Sequence, residues 1–460
     1  MEFRERKKSS IGKYITIIIL LALIGAAGYI KFSPEFEQNK PEISIDDNIF
    51  WNLRSKIDLK LSDESGIKYY NVTFNDGTKD ITLESKILTT PIKTLNLQIT
   101  PPKLDMFFKG TSGTITVEAF DNSKWNYLEG NHATKTITVN IDKKRPIANV
   151  ISNSLAIRHG GSAVAVVEVK DENLKEAYIT FNDKVRFELI PFHKENYFVS
   201  LIAWPVNIEE FKRVNLVAID KAGNVTKTKI PLYIRELKVK KDQIKISDKF
   251  IKNVSTNVLQ LSNIEIPTDL SQIFIKQNQD VRDTNIHMIK TVVEKYMDRS
   301  LVEDFKINIF RRLKGSRTAA GFAEHRSYYH NGEKIDDAWH LGMDWASIKQ
   351  APIKASNPGH VIFNQYLGIY GNTIIIDHGM GLATLYAHTS SSAVNVGDEI
   401  SRNQKIANTG STGAVLGDHL HFGVLVQGIE VDPKEWMDRN WIKSRITQIL
   451  EDAKKAIDSK

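Results

Sequence analysis

The first apolar block runs from Tyr14 to Phe32, "YITIIILLALIGAAGYIKF", and holds one charge, Lys31, near its far end. At about 1.5 Å per residue such a run crosses a hydrocarbon core of about 30 Å, so it predicts a single transmembrane helix. Beyond a linker at 33–44 the pattern changes to period two. Short alternating runs rich in Thr, Val, Ile and aromatics fill 45–235, punctuated by Asn-Asp-Gly and Ala-Gly-Asn turns, and predict β-strands. The region also repeats. "DESGIKYYNVTFND" (Asp63 to Asp76) is echoed by "DENLKEAYITFND" (Asp171 to Asp183). Each copy continues into a late strand, "TITVEAFDNS" or "VNLVAIDKAGN", and a closing one, "TKTITVNI" or "TKTKIPLYI". A period on the order of 100 residues is that of an immunoglobulin-like sandwich, so 45–146 and 147–235 are expected to be two such modules.

From Glu236 the period lengthens. Ile286, Ile289, Val292 and Val293, followed by Tyr296 and Met297, recur at helical spacing within "TNIHMIKTVVEKYMDRSLVEDFKINIFRRL". Residues 236–314 therefore read as a helical connector, or a cover for the next domain, rather than a separate catalytic unit. Alternation returns over 315–440, and in the last segment, 441–460, Ile442, Ile446, Ile449 and Ala453 mark an amphipathic helix that packs on this domain or a partner. The predicted fold is mainly β: a membrane helix (14–32), two sandwich modules, a helical connector and a C-terminal antiparallel β domain. The late strands of the repeats resemble bacterial immunoglobulin-like modules ending in A-x-D-x-A-G-N. Asp63, Asp121, Asp171 and Asp220 are read as turn formers rather than calcium ligands, because no dense carboxylate loop accompanies them. The modules then serve as spacers, or as adaptors for cell-wall protein partners.

Charge narrows the setting. The formal net charge of +7 favours an anionic neighbour, whether nucleic acid, lipid or an acidic polymer such as cell wall. No basic stretch is interleaved with aromatics as a single-strand binder requires, so no nucleic-acid partner is expected. Arg4, Arg6, Lys7, Lys8 and Lys13 precede the apolar block, while its far flank is mixed and acidic. The positive-inside bias then makes 1–13 a cytoplasmic tail and leaves the bulk of the chain on the periplasmic or extracytoplasmic side of the cytoplasmic (inner) membrane. Gly25 to Gly28 offers a poor cleavage site, which favours a retained single-pass anchor over a signal peptide. The chain has no cysteine, which removes thiolate ligands and thiol nucleophiles from consideration.

Eight of the twelve histidines lie between His325 and His421. That clustering invites a search for a metal site. His419 and His421 stand two apart in "DHLHFGVLV", so in a strand they share a face; His340 and Asp344, four apart in "HLGMD", do the same if that segment is extended. Two imidazoles and one carboxylate leave a tetrahedral zinc an open position, the mark of a catalytic rather than a structural site.

The ordered set His-x-x-x-Asp, Tyr-x-His, Gly-Ser-Thr-Gly and His-x-His, spread over about Gly315 to Asp438 with "GIYGN", "DHGMG" and "NVGDEI" between, resembles the M23 family of zinc peptidases, the lysostaphin and LytM type. The resemblance implies one Zn2+ per chain held by His340, Asp344 and His421, with His388 and His419 as unligated catalytic histidines titrating near neutrality. It also implies hydrolysis of peptidoglycan stem-peptide cross-links, the zinc polarising the scissile carbonyl and lowering the pKa of the attacking water toward about 7. Inert members that activate a wall amidase usually lack some ligands and carry coiled-coil arms, and this chain shows neither feature. How His388 and His419 divide the proton transfers stays open. Tyr386 is read as packing before oxyanion binding, and His378 as structural. His287, a lone histidine in the connector, is not read as a ligand. His325, His330 and His360 are unassigned. Arg326, with Tyr328 and Tyr329, either grips a substrate carboxylate or sits in a solvated loop. Asp418 departs from the family's usual loop and leaves the shape of one cleft loop open.

Overall fold

The computed structural model describes residues 11–103 and 109–460. The basic stretch Arg4 to Lys8 lies outside them. The apolar block forms helix Ile11–Phe32, three residues longer at its start than the pattern suggested, and none of its residues is buried. Its 22 residues are long and apolar enough to cross a membrane.

The chain divides into two compact units, 1–145 with 220–224 and 146–219 with 225–460. In the first, strands Glu42–Ser44, Ile57–Asn75, Ser112–Asp121, His132–Ile141 and Ile49–Trp51 follow one another across a sheet, and Asp80–Ile99 also pairs with Ile57–Asn75. All six join in one sheet, whereas a sandwich has two. The reason lies at the start of the repeat, where Asp63 Oδ1 accepts the backbone N–H of Ser65 and Gly66, and Gly66 sits at φ +93°. This turn shifts the register between Ser62 and Ile67 without ending the strand, so the 19-residue strand pairs with Asp80–Ile99 on both sides of the shift. Trp51, Leu61, Tyr70, Val72, Phe74 and Val117 fill the core beneath it. Asp121, Asp171 and Asp220 likewise accept backbone N–H groups of Ser123, Asn173 and Asn224, as turn residues do.

The second unit begins with two four-stranded sheets, one containing Leu174–Phe181 and Val214–Asp220, the other Ser162–Lys170 and Tyr197–Ala203. The connector is helical only in part. Lys240–Lys245 is a strand lying parallel to Glu324–His330, helical turns run from Asp248 to Leu261 and from Leu270 to Tyr296, and 303–313 contains neither helix nor strand.

The C-terminal domain is built on an eight-stranded antiparallel sheet. Its central strands are Met343–Ala346, Leu420–Val426, Leu382–Ala387, Asn372–Asp377 and Gly359–Tyr366. Their side chains alternate between two cores. Ile374, Ile376, Leu382, Val424 and Val426 point to a core shared with the second module, Phe310, Trp436 and the C-terminal helix, while Ile375, Ala383, Leu385 and Leu425 point to the connector helices. Both faces being covered, these strands read as almost continuous apolar runs. The tail helix packs Leu450, Ala453 and Ile457 on the second module, and Ser154 Oγ donates to the Arg445 carbonyl.

At the seam between module and sheet, Glu435 Oε2 accepts the Ser162 N–H at 2.7 Å. A Cβ on Gly161 would lie 2.5 Å from Glu435 Oε1, so the seam closes only over glycine. Burial pushes the Glu435 carboxyl from 4.5 up to about 8. The folded chain holds it neutral where the unfolded chain ionises it. Its contribution to stability is therefore whole below about pH 4.5 and is lost as pH rises through about 8. Thermal melts are expected to show wild type losing stability between pH 5 and pH 8, and Glu435→Gln losing less, by on the order of 2–4 kcal/mol. Parallel pH dependence of the two chains would refute this.

Candidate metal centre

The pairing register builds the site. Asp344 lies directly across from His421, and Ala387 lies across from His421 on its other side, so these positions share the sheet face turned toward the connector. His340 arrives from the end of strand Glu333–His340, two residues after which Gly342 turns the chain. A Cβ on Gly342 would lie 2.4 Å from His421 Nε2, so the imidazole is seated against bare backbone.

Three donor atoms converge. His340 Nε2 lies 3.1 Å from Asp344 Oδ1 and 3.2 Å from His421 Nδ1, and His421 Nδ1 lies 2.9 Å from Asp344 Oδ1. Donors at roughly 2.0–2.1 Å around a tetrahedral ion are about 3.3 Å apart, so the triangle fits a zinc-sized ion with little movement. Each ring is also set for it. His340 Nδ1–H donates to the Gly321 carbonyl at 2.7 Å, which leaves its Nε2 lone pair facing the triangle. Burial pushes His421 down to about 4, keeping that ring neutral and able to ligate. Burial opposes ionisation of Asp344, yet His340 and His421 hold its carboxyl well below the usual range.

Two more histidines stand beside the triangle. His419 Nε2 is 3.7 Å from Asp344 Oδ1, and its Nδ1–H donates to the Gly417 carbonyl. His388 packs at ring-centroid distances of 4.9 Å from His419 and 5.7 Å from His421, with Nδ1–H donated to the Thr412 carbonyl at 2.9 Å. Its backbone is left-handed, φ +60°, a conformation that costs of order 1–3 kcal/mol and turns the ring out of the strand's alternation. Burial, with His419 and His421 beside it, holds His388 well below its ordinary value, not near neutrality as the sequence suggested. It stands as a neutral base.

The remaining histidines lie elsewhere. His378 is bonded at both nitrogens, to the Pro358 carbonyl and Thr384, and burial pushes it to about 4. His330 bridges Ser271 and Asp248 of the connector, His325 stacks on Trp339, and His360 and His287 line no part of the cleft. Tyr386 is buried against Phe422, away from the cleft. Asp418 accepts from Thr409 Oγ1 at 2.5 Å and the Gln350 N–H at 3.0 Å, so it ties down the loop before His419.

Sequence reasoning missed the opposite wall. Gln277, Asn278 and Arg282 of the connector line the cleft, as does Tyr370, whose ring meets His421 edge-on at 5.5 Å while its hydroxyl donates to Glu430. The motif spacing carries no signal for the connector residues; for Tyr370, the "GIYGN" turn marks the place without the role.

Residues 338–433 match the profile of Peptidase family M23. A DD-carboxypeptidase/endopeptidase Mpg of Neisseria meningitidis is 37% identical over 94 residues, 20% of this chain and 22% of that protein. The murein hydrolase activator EnvC of Escherichia coli is 34% identical over 98 residues, 21% of this chain and 23% of that protein. Among solved structures, the catalytic domain of lysostaphin from Staphylococcus simulans is 27% identical and aligns with 27% of this chain and 94% of its own, at a TM-score of 0.24. The chain spans about a fifth of the length of the curated relatives it matches. Residues 338–433 are a peptidase family M23 domain set within a longer chain.

Proposed function

We propose that this chain is a zinc-dependent endopeptidase that hydrolyses peptide cross-links of bacterial peptidoglycan, held by helix 11–32 in the inner membrane with its bulk on the extracytoplasmic side. The observation that carries the reading is the triangle of His340, Asp344 and His421 with two unligated imidazoles beside it. Zinc, when bound, supplies Lewis acidity toward the scissile carbonyl and makes a nearby water more acidic. The chain's own groups do the rest. His388 Nε2, with Nδ1–H fixed on Thr412, is the free lone pair that accepts the water proton. His419 Nε2, held toward Asp344, is placed to bond the oxygen that gains charge, or to pass a proton to the departing amine. The connector wall and Tyr370 screen the cleft from bulk water.

The likeness to EnvC raises a second reading, a domain that binds and activates a wall amidase. Digestion of purified sacculi by the full chain separates the two. Released muropeptides cut in their cross-links, with loss of cutting on metal chelation, are expected. Intact sacculi together with stimulation of an added amidase would favour the activator.

A further inference from the structure

Arg326 is ion-paired at long range but has no hydrogen-bond partner among the described residues. It sits on strand Glu324–His330, two pairs along from Glu324↔His340 and so on the same face as Glu324, with its side chain 19% exposed at the cleft. Among the described residues none of its N–H groups makes a hydrogen bond, and its Nε is fully buried. Asp344 Oδ2 and Glu324 Oε2 each lie 3.6 Å from its terminal nitrogen, ion-pair contacts too long for hydrogen bonds, and the other oxygen of each carboxylate is already engaged. Asp344 faces the two histidines, and Glu324 accepts from Lys240 Nζ at 2.8 Å and the Gly321 N–H at 3.0 Å. Across the cleft Gln277, 2% exposed, presents an Oε1 that is also buried and unbonded.

A guanidinium whose Nε–H is withdrawn from water and left unmet, with its terminal N–H groups open to the cleft, favours a ligand that meets them together. A planar carboxylate matches the arginine fork with two parallel bonds. The wall formed by Ile244, Ile246, Phe274 and Tyr328 lowers the local polarity and strengthens such a pair. Gln277 Oε1 is an acceptor for one peptide N–H.

We propose that Arg326 and Gln277 form a carboxylate-and-amide subsite beside the metal centre. It takes the free carboxylate of the diamino acid that forms the cross-link. This rests on the endopeptidase reading above and specifies its substrate. A peptide whose flanking residue is amidated or lacks an acid is a poor ligand.

The test uses the full chain and two cross-linked muropeptide dimers that differ only in that carboxylate, free or amidated. Wild type is expected to lose about 10- to 100-fold in kcat/KM, mainly through KM, on amidation. Arg326→Gln is expected to lose as much on the free acid and to distinguish the two dimers no further, while its zinc content and melting temperature match wild type. Calorimetry on metal-stripped protein reads the same subsite without catalysis: wild type binds the free-acid stem peptide more tightly than the amide, and Arg326→Gln binds both alike. Continued discrimination by Arg326→Gln overturns the proposal. Loss of zinc in that variant overturns it also, in favour of an arginine that only positions Asp344. A wild-type chain that cleaves neither dimer sinks the endopeptidase reading and the subsite with it.

Discussion

Replacing His421 with alanine is expected to reduce bound zinc from one per chain to background and to stop digestion of sacculi, a fall of at least about 10³-fold. His421 occupies the middle of the domain in every sense that matters here. Its Nδ1 is within 3.2 Å of both other donors, and its strand is hydrogen-bonded between those bearing Asp344 and Ala387. Without it two donors remain, too few to hold a divalent ion against solvent. The fold should survive, since the apolar clusters on both faces of the sheet hold it without any contribution from the His421 ring. Elemental analysis, circular dichroism and muropeptide chromatography on the same preparation check all three statements. Full activity in this variant would end the metal assignment.

His388→Ala is expected to behave differently: zinc retained, kcat lowered by about 10²- to 10⁴-fold, KM little changed. The His388 ring contacts His421 and His419 but contributes no atom to the donor triangle. A neutral imidazole with one nitrogen fixed on Thr412 serves as base with the other, and alanine removes that function. Loss of zinc on this change would move His388 into the ligand set.

The donor set was legible because sequence spacing and sheet register coincide. His-x-His puts two rings on one side of a strand, and the strand's partner places Asp344 directly opposite. Other features were legible only as types. Ile289 and Val293 announce a buried helix face, but a 3.6-residue period says nothing about which surface it meets, so the connector's place along the cleft could not be foreseen. In 301–313, Val302, Phe305 and Ile309 satisfy helical spacing while Phe305, Ile307 and Ile309 satisfy period two, and the segment packs on the core as neither helix nor strand beyond the single bridge at Val302. The repeat at Asp63 and Asp171 predicted two like modules; in the first a glycine turn shifts a long strand's register without ending it, and all six strands join one sheet. Arg326 and Gln277 carry no spacing signal at all, because their significance is a missing partner, which only coordinates reveal.

The two-sided burial of the central sheet bears on how the C-terminal domain can be cut from its chain. Because Ile375, Leu385 and Leu425 lean on one neighbour and Ile374, Ile376 and Val424 on the other, the sheet is a party wall rather than a house front. A segment starting after the connector would keep Trp436 and the tail helix on one oily side but leave Ile375, Leu385 and Leu425 bare on the other, a slab prone to stick to its own copies.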